Sequence, residues 1–244
     1  TVPVAPYRST SLGWLNSNTG RLKIALQLLG QSVATNRRVV GEKSARTLIS
    51  SRFLSIVLQR MGRYAEAERT IMVVKDAYGL ENSENFESLL ATYSLAQLYD
   101  AQGDSRKAID MIKSIEASVH RQFGAGHSFL PSAQLSRAKS HQKLGEFDVA
   151  NAILKELLDS QTVLWGSDHR ETLAVNSAIA ALYANQGLFE SAAAKYRELD
   201  FVYRRDAEQN SLLSLLNRLH LAETDLDLNR LEEAQLAAKQ VLHD

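Results

Sequence analysis

Apolar residues recur along this chain three and four positions apart, and strict alternation of apolar with polar positions is nowhere sustained. In LGEFDVANAILKEL (144–157), Ala150, Ile153, Leu154 and Leu157 stand at i, i+3, i+4 and i+7, the spacing that gathers side chains on one stripe of an α-helix. Valine and isoleucine follow the same spacing, and Ala, Leu, Glu, Gln, Lys and Arg dominate the rest, as in helices. Forty-two positions on, QGLFESAAAKYREL (186–199) repeats the pattern with few identical letters.

Aligning these stretches on their glycine brings out one signal at Gly20, Gly62, Gly103, Gly145 and Gly187, with Asn229 in the sixth place. The successive spacings are 42, 41, 42, 42 and 42. A fixed period of this size marks stacked supersecondary units. Five residues after each signal stands alanine (Ala25, Ala67, Ala108, Ala150, Ala192, Ala234), and seven before it stands a small residue (Gly13, Ser55, Ala96, Ala138, Ala180, Ala222). Glycine, and next to it asparagine, tolerates the left-handed backbone that ends one helix and leads into the next. The small residues let two antiparallel helices approach closely. Leu22, Tyr64, Phe147, Phe189 and Leu231, two residues after the turn, are expected to plug the space between paired helices, with Ser105 the exception. Gly41, Gly124 and Gly166, each twenty-one residues past a turn, fit helix C-termini, while Gly79 arrives early. Asp168 with Glu171 has the form of a capping box.

The pattern predicts an all-α fold, a solenoid of six helix-turn-helix units over about residues 6–40, 44–80, 84–123, 127–165, 168–206 and 209–244, within a single domain spanning 1–244. Only three prolines interrupt it. An apolar share of 45% suffices for a folded core. Twenty-eight basic residues balance twenty-eight acidic ones, which removes the overall field that would hold nucleic acid or an anionic membrane. Without cysteine there is no disulfide framework or thiolate chemistry. No apolar run approaches the length of a membrane span, and TVPVAPYRST lacks the regions of a signal peptide. We expect a soluble chain, with the cytoplasm favoured, and, since no initiating Met is present, a domain excised from a larger protein.

With small residues flanking a turn glycine and Tyr or Phe two after it, the units resemble tetratricopeptide repeats. LWGSDHRETLAVNSAIAALYANQGLFESAAAKY (164–196) and QFGAGHSFL (122–130) are similar to the 42-residue variant of kinesin light chains. The resemblance covers the chain from about residue 8 onward and implies a right-handed superhelix. Three departures stand out. The asparagine pair of kinesin light chain repeats is replaced by Arg52-Phe53, Tyr93-Ser94, Leu135-Ser136, Ser177-Ala178 and Leu219-His220, which argues against a kinesin-like cargo clamp. The family's alanine late in the second helix is replaced by Ser32, Val74, Ile115, Leu157, Leu199 and Val241, which implies wider packing between neighbours. RSTSLGWLNSNTG, in the first unit, is rich in residues that compete with a helical backbone.

The resemblance implies that first helices line a concave groove. Its inward positions fall on Arg52, Ile56, Gln59 and Arg60, on Tyr93, Gln97 and Asp100, on Leu135, Lys139, Gln142 and Lys143, on Ser177, Ala181, Ala184 and Asn185, and on Leu219, Glu223 and Asp227. Arg52, Gln59, Arg60, Tyr93, Gln97, Lys139, Gln142, Lys143 and Asn185 are the candidate partner-binding residues. The partner expected is a protein or peptide, with an acidic segment lying across Arg52, Arg60, Lys139 and Lys143; solvated charge on exposed helices is the alternative. The implied function is an interaction module in a larger signalling protein. Self-association is the second reading, because RLEEAQLAAKQVLHD keeps Leu231, Leu236, Ala238, Val241 and Leu242 without a polar capping helix. A small-molecule sensor is the third. An enzyme is remote: no metal-ligand spacing joins the histidines, no phosphate-cradling loop or nucleophile elbow occurs, and no cofactor is implied. Trp14 reads as a cap over the first unit in preference to a ligand-stacking aromatic.

Overall fold

The computed structural model of the chain describes residues 6–79, 85–205 and 212–243. Among them are twelve helices and no strand: α1 (Pro6–Asn18), α2 (Leu22–Val40), α3 (Ala45–Arg60), α4 (Tyr64–Gly79), α5 (Phe86–Ala101), α6 (Ser105–Phe123), α7 (Leu130–Lys143), α8 (Phe147–Trp165), α9 (Arg170–Asn185), α10 (Phe189–Arg205), α11 (Leu212–Asp227) and α12 (Leu231–His243). By its contacts the chain forms two compact units, 1–133 and 134–244.

Unit 1 is a stack of helical hairpins in which each helix packs on the next, and α1, α3 and α5 also pack in turn. Unit 2 is built alike, with α8 to α12 packing in sequence and α9 against α11. Both are stacks of the α-solenoid kind. The residues that define the period carry this arrangement. Gly187 turns with φ +75° and Asn229 with φ +58°, the left-handed conformation the turn requires. All six alanines after the turns are buried, as are Ser55, Ala96, Ala138, Ala180 and Ala222 before them. With no bulk there, larger neighbours meet across the pairs, such as Ile71, Leu95 and Leu98 in unit 1 and Leu154, Leu157 and Leu182 in unit 2.

Three local expectations change on inspection. Leu231 is 63% exposed and plugs nothing, because it opens α12 on the water side, whereas Tyr64 and Phe147 do pack against the core. Ser105 is buried and donates its hydroxyl to Asp100 Oδ1 at 2.7 Å, so the exceptional unit closes with a hydrogen bond instead of a ring. The cap of α9 is His169, whose Nδ1 accepts from the Glu171 amide at 3.3 Å. Asp168 lies one residue too early and instead binds Arg205 Nη2 at 2.6 Å.

The Ser- and Thr-rich first hairpin is helical, and its hydroxyls bond across helices. Thr10 Oγ1 lies 2.7 Å from Ser32 Oγ and 2.9 Å from Ser50 Oγ, and Asn36 Nδ2 donates to Ser50 Oγ at 3.0 Å. Ser32 thus joins a buried polar seam between α1, α2 and α3. Buried hydroxyls are tolerated because each finds a partner.

Candidate functional site

Five of the candidate residues lie in unit 1. Arg52, Gln59 and Arg60 are on α3, and Tyr93 and Gln97 are on the neighbouring α5. Positions 52, 56 and 59 fall on one side of a helix with about 3.6 residues per turn. Gln59 Nε2 donates to the Gln97 carbonyl at 3.0 Å, so α3 and α5 meet along this side. Tyr93 extends the line: its hydroxyl donates to the Ser132 carbonyl at 3.1 Å and its ring meets Phe129 edge-on at 4.9 Å. Arg60 turns the other way along the stack. Its Nη1 donates to Ser17, to the carbonyl at 3.0 Å and to the hydroxyl at 3.1 Å, and its guanidinium lies 6.0 Å from the Trp14 ring. Trp14 packs on Phe53 at 4.7 Å. Gln59, Arg60 and Tyr93 therefore tie successive hairpins together.

Arg52 differs from these. Its side chain is only 11% exposed, its Nη2 lies 3.6 Å from Glu87 Oε2, and its guanidinium carbon sits 4.8 Å from the Phe53 ring. Among the described residues its buried Nε has no hydrogen-bond partner. Burial pulls the guanidinium below the usual arginine value, against the opposing pull of Glu87 and Tyr78. This is a cation that the fold neutralises incompletely. Glu87, in the first turn of α5, was not singled out in the sequence. Its only signal there is an acidic residue at the start of the helix following Arg52's own hairpin.

In unit 2, Lys139, Gln142 and Lys143 occupy the last turns of α7 and Asn185 ends α9. Lys139, Lys143 and Asn185 are exposed and Gln142 is half-buried. Lys139 and Lys143 are one helical turn apart and share a face. On α11, Leu219 is partly exposed, and Glu223 lies close enough to Tyr196 to raise its pKa. Buried charge in this unit is compensated: Arg218 Nε donates to Asp200 Oδ1 at 2.9 Å, and Arg204 Nε binds the other carboxylate oxygen at 2.6 Å. On α12, Leu231 and Leu236 are exposed, while the side chains of Val241 and Leu242 lie outside the described residues.

Among the described residues, no group of His, Cys, Asp or Glu could hold a metal ion, and no helix is long and apolar enough to cross a membrane. Stacked hairpins of this kind define a helical-repeat scaffold. Residues 10–45 match the family model described as tetratricopeptide repeat. That match falls on the Ser- and Thr-rich first unit.

Several solved structures share the fold. The kinesin light chain-like protein of Podosopora anserina, with nearly identical TPR-like repeats, superposes with TM-score 0.65 at 20% identity, covering 83% of this chain and 96% of that one. BtubC from P. vanneervenii gives 0.68 at 15% identity, covering 91% and 90%. A Rap protein complexed with competence and sporulation factor gives 0.69 at 13% identity, covering 99% of this chain and 65% of that one. By sequence, no curated protein matches the chain. The fold and the family match support a protein-interaction module.

Proposed function

We propose that the chain binds a protein or peptide along the first-helix face of its repeats, as part of a larger signalling or regulatory protein, and that an acidic group of the ligand is read by Arg52. The observation that carries this reading is the state of Arg52, a largely buried guanidinium with an unpartnered Nε among the described residues and a single ion pair to Glu87. An incoming carboxylate would gain charge-assisted hydrogen bonds at little desolvation cost to the arginine, which the fold has already taken out of water. Gln59 and Tyr93, held by backbone carbonyls, would give the ligand a rigid floor. The Rap protein's complex with competence and sporulation factor supports reading such a repeat stack as a ligand surface. Lys139 and Lys143 offer the corresponding cations in unit 2.

The test is affinity for extended peptides selected from a displayed library, measured by fluorescence anisotropy. Acidic peptides are expected to bind, and Arg52→Glu and Lys139→Glu to weaken them by about tenfold each. Selected peptides with no acidic residue, or affinities untouched by both reversals, would remove this face from consideration.

Self-association through α12 is a second reading, favoured by Leu231 and Leu236 at 63% and 60% exposure. Light scattering across a concentration range is expected to reveal dimer, and Leu236→Glu to abolish it; monomer throughout would discard it.

A further inference from the structure

Leu54 and Leu58 lie on the side of α3 away from Arg52, Ile56 and Gln59, as about 3.6 residues per turn requires. On this outer side, between α2 and α4, unit 1 opens into a cleft of about 420 Å³. Leu26, Gly30, Leu54 and Leu58 form an apolar floor, and Arg63, Glu66, Arg69 and Thr70 form the rim. The volume falls in the range of roughly 300–1,000 Å³ typical of ligand sites. Past Arg69 a second cleft of about 550 Å³ continues along α4, where Met72 and Val73 are 36% and 51% exposed.

The charges at this rim are unequal. Arg63 is held by both oxygens of Glu66 at 2.7 Å. Glu68, at the far cleft, accepts from the Tyr99 hydroxyl at 3.2 Å. Exposed Arg69 lines both clefts and has no ion-pair partner among the described residues. An exposed cation, near Glu66 but in no close ion pair, thus stands between two apolar depressions. Gly30 adds a second observation. Glycine inside a helix is destabilising, yet a Cβ at 30 would meet no atom within 4 Å, so no neighbour demands it. Its effect is to keep the floor of the cleft open.

We propose that this outer face is a second binding site, separate from the first-helix face. Its occupant is an amphipathic helix of a partner protein, lying in the groove that two adjacent helices create. The partner inserts an aliphatic side chain between α2 and α4 and presents an Asp or Glu, about one turn away, to Arg69.

The test uses a displayed library of helix-prone peptides about five turns long, selected on the wild-type chain. Gly30→Leu fills the cleft where space is free, and Arg69→Glu reverses the cation. Melting temperatures no lower than wild type establish that both variants fold. The expected result is a set of peptides carrying an aliphatic residue with Asp or Glu three or four positions away, weakened about tenfold or more by either substitution and unaffected by Arg52→Glu. Peptides that bind wild type and Gly30→Leu equally, peptides lacking acidic residues, or no peptide that distinguishes the two proteins would each overturn the proposal. Sensitivity to Arg52→Glu alone would leave the first-helix reading standing and remove this one.

Discussion

A Cβ added to Gly13 on α1 would stand 2.6 Å from Cγ of Leu29 on α2, closer than two carbons can approach. In the other five hairpins the equivalent position carries a side chain, serine or alanine. The first hairpin is therefore closed on glycine, and Leu29 is fully buried, so making room means displacing a side chain packed at interior density.

Gly13→Ala is accordingly expected to destabilise unit 1. Alanine favours a helix interior over glycine by up to about 1 kcal/mol, but overpacking typically costs about 1–3 kcal/mol, so the clash should prevail. Urea denaturation monitored by circular dichroism gives the sign. A midpoint at or above that of wild type would mean that Leu29 repacks without strain.

In unit 2 the Arg218–Asp200 pair bridges α11 and α10 with both side chains largely out of water. Removing one partner of such a pair leaves a buried charge and costs about 3–5 kcal/mol. Asp200→Leu should destabilise unit 2, since it removes the carboxylate that both Arg218 and Arg204 bind. Asp200→Leu combined with Arg218→Met should recover most of the loss, because two apolar side chains leave no buried charge. A double variant no more stable than Asp200→Leu alone would contradict the assignment.

Tyr196 links the same interface to pH. Burial pushes its phenol up to about 12 from an ordinary 10.0, with Glu223 adding to the shift. Folding thus favours the neutral phenol. The stabilisation is complete below pH 10 and is lost as pH rises through about 12, a total on the order of 2 kcal/mol. Ultraviolet difference absorbance should show late tyrosine ionisation that Tyr196→Phe removes, and Tyr196→Phe should flatten the alkaline decline in stability. Ionisation of every tyrosine near pH 10 would show the phenol to be solvated.

The helices and their pairing were legible in the sequence because packing imposes one demand at a fixed interval. A turn needs a left-handed residue and two backbones need small neighbours, so Gly187, Asn229, Ala150 and Ala192 announce themselves by position. The candidate face was legible only as a set of positions. Whether a side chain there is available depends on partners far along the chain, such as Ser17 for Arg60 and Ser132 for Tyr93. The two offsets, 43 and 39 residues, lie near the repeat period but differ from each other. The α2–α4 cleft was hidden for the opposite reason, because Gly30 occupies no turn and so carries no signal against the background of the repeat.

Arg52 allows binding and folding to be separated. Replacing both partners of a buried ion pair with apolar side chains of similar volume is often neutral or stabilising, whereas removing one of them leaves an uncompensated charge. Arg52→Met alone would leave Glu87 Oε2, which is buried, without its cation. Arg52→Met combined with Glu87→Leu should therefore melt within about 1 kcal/mol of wild type or above it, while weakening acidic peptides by about tenfold or more. A residue retained for packing would give the reverse, with a clear loss of stability and little change in affinity. If the double variant both folds less well and binds undiminished, Arg52 is a structural cation, and the ligand of unit 1 must be sought at positions such as Gln97 that lie further along the same face.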